Sequence, residues 1–234
     1  MNVELTIERL FQSLITGDRN SARSIVDECH QQVSAEELTD EVLWPVLEMV
    51  NSLFRADQLT TLAHHYAVRL LRSLVDQAQA NYQQKRRNGR KILMFCGTSE
   101  ADELAGQLAA NVIEANGYEV YFGGGGVAND EILGEIGEQR PDILLMFASS
   151  PGDAPNIRML IDTIRSVDAC PNLQIAVGGG VFNRAEGLAE EIGADLWAKS
   201  PREMVSVLDT CKDQRATSEQ RTGGRNRRTF RNAA

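Results

Sequence analysis

The chain has 234 residues, 42% hydrophobic and 24% charged, with a net charge of −9. That composition suits a globular chain of one large domain or two small ones, and its acidity argues against a general nucleic-acid binder. No apolar run reaches bilayer-spanning length and the N-terminus is not signal-like, so the expectation is a cytoplasmic protein without membrane contact.

Residues 1–84 read as helix throughout. Val3, Ile7, Leu10, Phe11 and Leu14 recur at helical spacing, as do Ala22, Ile25 and Val26. Asp18 stands where it caps the second of these helices. Ser34 to Glu37 has the spacing of a capping box. The third periodic run passes through Leu38, Val42, Leu43, Val46, Val50 and Leu53, with Pro45 marking a kink or the true start. The fourth, from about Leu59 to Tyr82, places Leu62, Tyr66, Leu70, Leu74 and Ala78 on one face. Four helices joined by short loops predict an antiparallel bundle.

A polar, basic linker follows at residues 85–91, and the pattern changes beyond it. From 91 to 213, short β-type runs alternate with helical ones: KILMFC, YEVYF, DILLMF, LQIAV and ADLWA each precede a helix. The fourth of those helices is expected over NRAEGLAEEIG. Five such repeats predict an α/β domain with a five-stranded parallel, flavodoxin-like (Rossmann-like) sheet. Ligands of such sheets bind beyond the carboxyl ends of the strands. Residues 214–234 form a basic tail. From Arg215 it has six arginines and one glutamate, a net +5, which leaves −14 on the rest of the chain. The tail has too little apolar surface to fold and is expected to be disordered; nucleic acid would contact the protein only through it.

The strand ends carry the unusual residues. The second runs into Gly123, Gly124, Gly125 and Gly126, and the fourth into Gly178, Gly179 and Gly180. Gly123, Gly125 and Ala128 satisfy a dinucleotide fingerprint, but after the second strand rather than the first, and with no acidic residue ending the next strand. A phosphorylation receiver would need an aspartate ending the third strand, where the sequence reads MFASS. The four cysteines are scattered, with no zinc or disulfide spacing.

Both halves together resemble the cobalamin (vitamin B12)-binding domain of methionine synthase and related corrinoid proteins, with its N-terminal helical cap. FGGGGVA, residues 122–128, lies on the family's turn after strand two, and VGGG, 177–180, on its GG motif. The resemblance implies that these glycines leave room for a corrin and its nucleotide tail. The family's D-x-H-x-x-G reads EADELA here, so Glu100 replaces the aspartate and Asp102 the cobalt-ligating histidine. The serine of S-x-L is Phe147, with Ser149 and Ser150 supplying hydroxyls nearby. The cap motif W-x9-E-H reads Phe54, nine residues, His64, His65. Adjacent helical residues point about 100° apart, so one of these histidines at most faces a ligand; the resemblance puts His65 at a metal-ligand position.

Methyl transfer needs a lower ligand that tunes the metal, and a carboxylate cannot replace imidazole. The sequence therefore predicts a non-catalytic corrinoid-binding sensor or regulator that binds cobalamin and is read by a regulatory protein partner. Three alternatives are carried with it: a methyltransferase-associated corrinoid protein with unusual cobalt ligation, a haem sensor using His64 or His65, and an interaction module that has lost its ligand.

Overall fold

The computed structural model describes residues 1–167 and 170–217. Its first half is helical. α1 (Val3–Thr16) starts on Asn2, whose side chain accepts the Leu5 N–H, and ends at Gly17 with φ +73°. Asp18 caps α2 (Arg19–His30) by accepting the Asn20 and Ser21 N–H groups. The Ser34–Glu37 capping box is complete at α3 (Ala35–Leu38).

α3 does not stop at a loop. It runs through a π-helical turn at Thr39–Leu43 into α4 (Trp44–Arg55), so the third pass of the bundle is one interrupted helix. Pro45 lacks the N–H that an α-helix would direct to Glu41, and its ring crowds that carbonyl. The wider turn lies just ahead of it, and Pro45 sits at the start of α4. α5 (Thr61–Gln79) is capped by Thr60 and is shorter at both ends than the periodicity suggests. Leu70, Leu74 and Ala78 are buried as expected, whereas Leu62 and Tyr66 are 59% and 45% exposed. In the first turns of α5 the inward positions belong to His64, Ala67 and Val68.

The second half is the predicted sheet. Its strands are β1 (Lys91–Cys96), β2 (Glu119–Gly125), β3 (Ile143–Phe147), β4 (Gln174–Gly178) and β5 (Leu196–Ala198), all parallel in the order β2-β1-β3-β4-β5. The helices between them are α6 (Glu100–Ala115), α7 (Asn129–Gln139) and α8 (Asp153–Val167), and α11 (Pro201–Thr210) follows β5. The helix expected over residues 183–193 is instead two short pieces, α9 (Gly180–Arg184) and α10 (Leu188–Glu191), broken at Gly187 with φ +78°.

Alternation along the strands sorts the core into two layers. Ile92, Met94, Leu145 and Phe147 face α6 and α11 and are continuous with the bundle core. Leu93, Phe95, Leu144 and Met146 face the α7 and α8 side. The bundle is thus packed on one layer of the α/β domain. The linker between them is also fixed in place. Lys85 N–H donates to the Ala115 carbonyl at 2.8 Å, Asn88 N–H to that of Gly117 at 2.9 Å, and the Arg87 guanidinium to that of Tyr118.

The amino edge of the sheet is closed by paired polar groups. Asp195 accepts from Arg165 Nη2 at 2.5 Å, from Ile175 N–H at 2.7 Å and from Ala216 N–H at 2.6 Å. Arg215 donates to the Asn172 carbonyl at 2.8 Å. The expected disorder therefore does not extend to Arg215 and Ala216, which are bonded to the Asn172 carbonyl and to the buried Asp195 carboxylate; residues 218–234 of the tail lie outside the described residues. Among the described residues, no helix is long and apolar enough to cross a membrane.

Candidate functional site

The loops at the carboxyl edge of the sheet meet the first turns of α6 and α8 under the cap. Ser99 caps α6: its hydroxyl accepts the Asp102 N–H at 3.0 Å and donates to Asp102 Oδ2 at 2.7 Å. Asp102 is 4% exposed. A Cβ on Gly97 would lie 2.6 Å from Asp102 Oδ2 and 3.0 Å from Asp153 Oδ2, so the absent side chain lets two carboxylates approach from different helices. Asp153 Oδ2 is buried without a hydrogen-bond partner. Burial, and then the charge of Asp102, push the Asp153 carboxyl above its ordinary range. Neighbouring Cys96 is pushed to about 12 by burial and by Asp102, Glu103 and Asp153, so at neutral pH it is a thiol and not a thiolate ligand. No cluster of three metal-binding side chains occurs among the described residues.

Glu100 is exposed and turns to the cap rather than to Asp102. Its Oε1 accepts from Arg69 at 3.3 Å, its carbonyl accepts from Arg72 at 3.2 Å, and Arg72 also pairs with Glu103 at 3.6 Å. Each exposed pair is worth roughly 0–1 kcal/mol; together they align α5 with α6.

The predicted cap pair is brought together. The Phe54 and His64 rings stack at 4.0 Å with an interplanar angle of 16°. His64 is buried, and its Nε2 lies 3.4 Å from Asn51 Oδ1. Burial lowers its pKa, His65 adds to this, and Glu100 opposes it; the ring is neutral at pH 7. His65 is exposed, its ring 6.2 Å from that of His64. With His64 committed to Phe54 and Asn51, and His65 turned outward, nothing in this arrangement favours haem.

The glycine run is largely filled by the chain itself. The β1–β2 register shifts between Met94↔Phe122 and Cys96↔Gly125, forming a bulge at Gly123 and Gly124. A Cβ on Gly123 would come 2.5 Å from the Phe95 ring, and one on Gly125 would strike the Gly97 carbonyl. Gly124 and Gly126 have φ of +73° and +76° with open space beside them. At the second run, a Cβ on Gly178 would stand 2.9 Å from the Phe147 ring, one on Gly179 would strike the Ala148 carbonyl, and one on Gly180 would stand 2.5 Å from Arg184 Nη1. Phe147 in turn packs edge-on against Trp44 of the cap, centroids 6.4 Å apart. Arg184 donates to the Ser149 carbonyl at 2.5 Å, and the Ser150 hydroxyl accepts the Gly152 N–H.

Sequence reasoning missed Trp44, Asp153 and Arg184. Trp44 lay inside a periodic apolar run, with only the adjacent Pro45 to mark it. Asp153 was legible as the first residue of a helix beyond a strand end. Arg184 lay within the helix that proved to be broken.

These residues do not fit a corrinoid held by a protein nitrogen below its metal with its nucleotide tail inserted beside Gly178. Asp102, which the sequence likeness aligns with the cobalt-ligating histidine, is a buried carboxylate bound to Ser99, and the space that Gly178 leaves holds the Phe147 ring.

Residues 6–79, the helical cap, match the family model described as "B12 binding domain". Residues 6–79 are thus similar to the helical domain of cobalamin-binding proteins, in keeping with the likeness read from the sequence. No match was found among curated proteins. The fold is similar to that of the monomethylamine corrinoid protein of Methanosarcina barkeri, with a TM-score of 0.77 at 15% identity, over 88% of this chain and 97% of that one. A cobalamin-binding protein from Desulfitobacterium hafniense DCB-2 gives 0.48 at 16% identity, over 89% and 98% of the two chains. The methanol:cobalamin methyltransferase complex of Methanosarcina barkeri gives 0.49 at 12%, over 92% and 82%.

Proposed function

We propose that this protein is a non-catalytic regulatory member of the corrinoid-protein fold: it takes up cobalamin at the junction of cap and sheet without ligating the metal from below, and a partner protein reads the seating of the cap. The observation that carries the reading is Asp102. It stands at the position of the family's lower ligand, buried and bonded to Ser99, and Glu100 is drawn away to the cap. Trp44 on Phe147 gives the cap direct contact with the floor of the junction, so a molecule entering there has to move one against the other. Cobalamin bound in this way keeps its own base.

Titrating hydroxocobalamin into the protein and following absorbance tests this. The expected result is saturable binding at tens of micromolar, about 6 kcal/mol, with a spectrum that retains the cofactor's own base. Asp102→His should shift the spectrum to that of histidine-ligated cobalt. A histidine-ligated spectrum from the parent protein, or no binding by either protein, would refute the proposal.

The overlay with a monomethylamine corrinoid protein along nearly its whole length favours a second reading, a corrinoid carrier that serves a methyltransferase. Transfer of the methyl group from methylcobalamin-loaded protein to a thiol acceptor would select it.

A further inference from the structure

A cavity of about 270 Å³ opens at the carboxyl ends of β1 and β3, on the layer of the sheet that faces α7 and α8. The chain crosses from β1 to β2 on one side and from β3 to β4 on the other, so the strand order reverses at this point. Open parallel sheets take up ligands in the crevice at such a reversal.

The floor is apolar and comes from three elements: Phe95 of β1, Met146 of β3 and Ile157 of α8. Thr98 and Asp153 stand on the rim with Asn129 and Asn156. Asn129 Nδ2 donates to Asn156 Oδ1 at 3.0 Å, which ties the first turns of α7 and α8 together and holds the walls in place. Asp153 brings the unpartnered Oδ2, and Asp102 approaches it across Gly97. Neither carboxylate belongs to an ion pair among the described residues. The terminal torsion of an aspartate is soft, so a small rotation turns the orphan oxygen into the cavity.

We propose that this cavity is a second ligand site, on the α7 and α8 side of the sheet and adjoining the cap–sheet junction, with which it shares Gly97 and Asp153, and that it takes a small planar aromatic cation whose fused ring lies on the Phe95 floor and whose amine or amidine N–H group meets Asp153. Each part of that description has a cause. The volume falls just below the range for ligand pockets, about 300–1,000 Å³, so it admits one fused ring and not a nucleotide. A phenyl ring and a thioether favour an aromatic guest. Two carboxylates that form no close ion pair favour a cation and repel phosphates and carboxylates. The site does not depend on the corrinoid reading.

The test uses the full chain without corrinoid and 2-aminobenzimidazole as probe, followed by amide chemical shifts. Saturable binding is expected with a Kd on the order of 0.1–1 mM, reasonable for a ligand of this size. The shifts should centre on Thr98, Val127 and Asn156. Neutral indole should bind about tenfold more weakly, and 2-naphthoate should not bind. Asp153→Asn keeps the shape and should weaken the probe about tenfold. Ile157→Phe, which fills the floor, should abolish binding; the amide spectrum reports whether each variant is folded. The proposal is overturned by absence of saturation, by equal binding of indole, by unchanged affinity in Asp153→Asn, or by shifts centred on His64 and Arg184.

Discussion

Asp195 and Asp102 are both buried aspartates at an edge of the same sheet, 4% exposed each, and they are treated differently. At the amino edge, Asp195 has an arginine and two backbone N–H groups, and Arg90 nearby bridges Gln174 and the Leu208 carbonyl at 3.0 and 2.8 Å. At the carboxyl edge, the Asp102 carboxylate accepts from the Ser99 hydroxyl, and the next group across Gly97 is another carboxylate. A network in which each donor and acceptor is matched serves to hold strands in register. One that leaves a buried oxygen unmatched spends stability locally, and such sites are where ligands are to be sought.

The sharpest way to break this comparison is to remove each aspartate in turn. Asp195→Ala leaves Arg165 and two N–H groups without their acceptor and should cost about 3–5 kcal/mol in urea unfolding. Asp102→Ala removes one local hydroxyl contact and should cost about 1 kcal/mol. Equal losses would mean that the two edges are built alike.

A smaller effect is expected at the cap. The pKa of His64 is lowered in the folded state, chiefly by burial, so the unfolded chain takes up the proton first as pH falls. Stability is then full above the unfolded value of about 6.5 and declines as pH drops below it. His64→Gln should remove that decline from denaturation curves measured between neutral and mildly acidic pH. An unchanged pH profile would show that the ring is not held neutral by Phe54 and Asn51.

The smallest effect concerns Asp153. Its carboxyl is raised in the folded state, by burial first and Asp102 second, so its sign is opposite to that of a salt-bridged aspartate. Stability is greatest below the ordinary carboxylate value of about 3.9 and is lost as pH rises through the folded value. Asp153→Asn should be more stable than the parent at neutral pH, with the difference closing below about pH 4. A less stable variant at neutral pH would mean that Oδ2 has a partner in solution.

The sequence made the elements legible wherever a local rule governs them. Asp18 and the Ser34–Glu37 pair cap the helices they precede. The alternation in KILMFC divides its residues between the two faces of β1. What stayed hidden depends on residues distant in the chain. Leu62 and Tyr66 continue an apolar row but stand exposed in the first turns of α5. The contact of Trp44 with Phe147 joins positions about a hundred residues apart, and nothing in either segment announces it. Asp153 looks like an ordinary helix start until folding brings it across Gly97 from Asp102. The glycine run was legible as an approach of backbone to something. That Phe95 and the Gly97 carbonyl are what approach it needed the bulge in β2.

The segment before β1 looks in sequence like a place to cut. It is polar, basic and without a regular element, and a domain boundary would be drawn there by composition alone. Yet Lys85, Arg87 and Asn88 are bonded to the carbonyls that end α6 and lead into β2, and a Cβ on Gly117 would strike the Arg86 carbonyl. The stretch is a splint and not a tether. An excised cap would carry away the donors that finish α6, and an excised sheet domain starting at Lys91 would leave those carbonyls bare. Any rocking of the two halves has its pivot elsewhere, because this joint is sealed along its length.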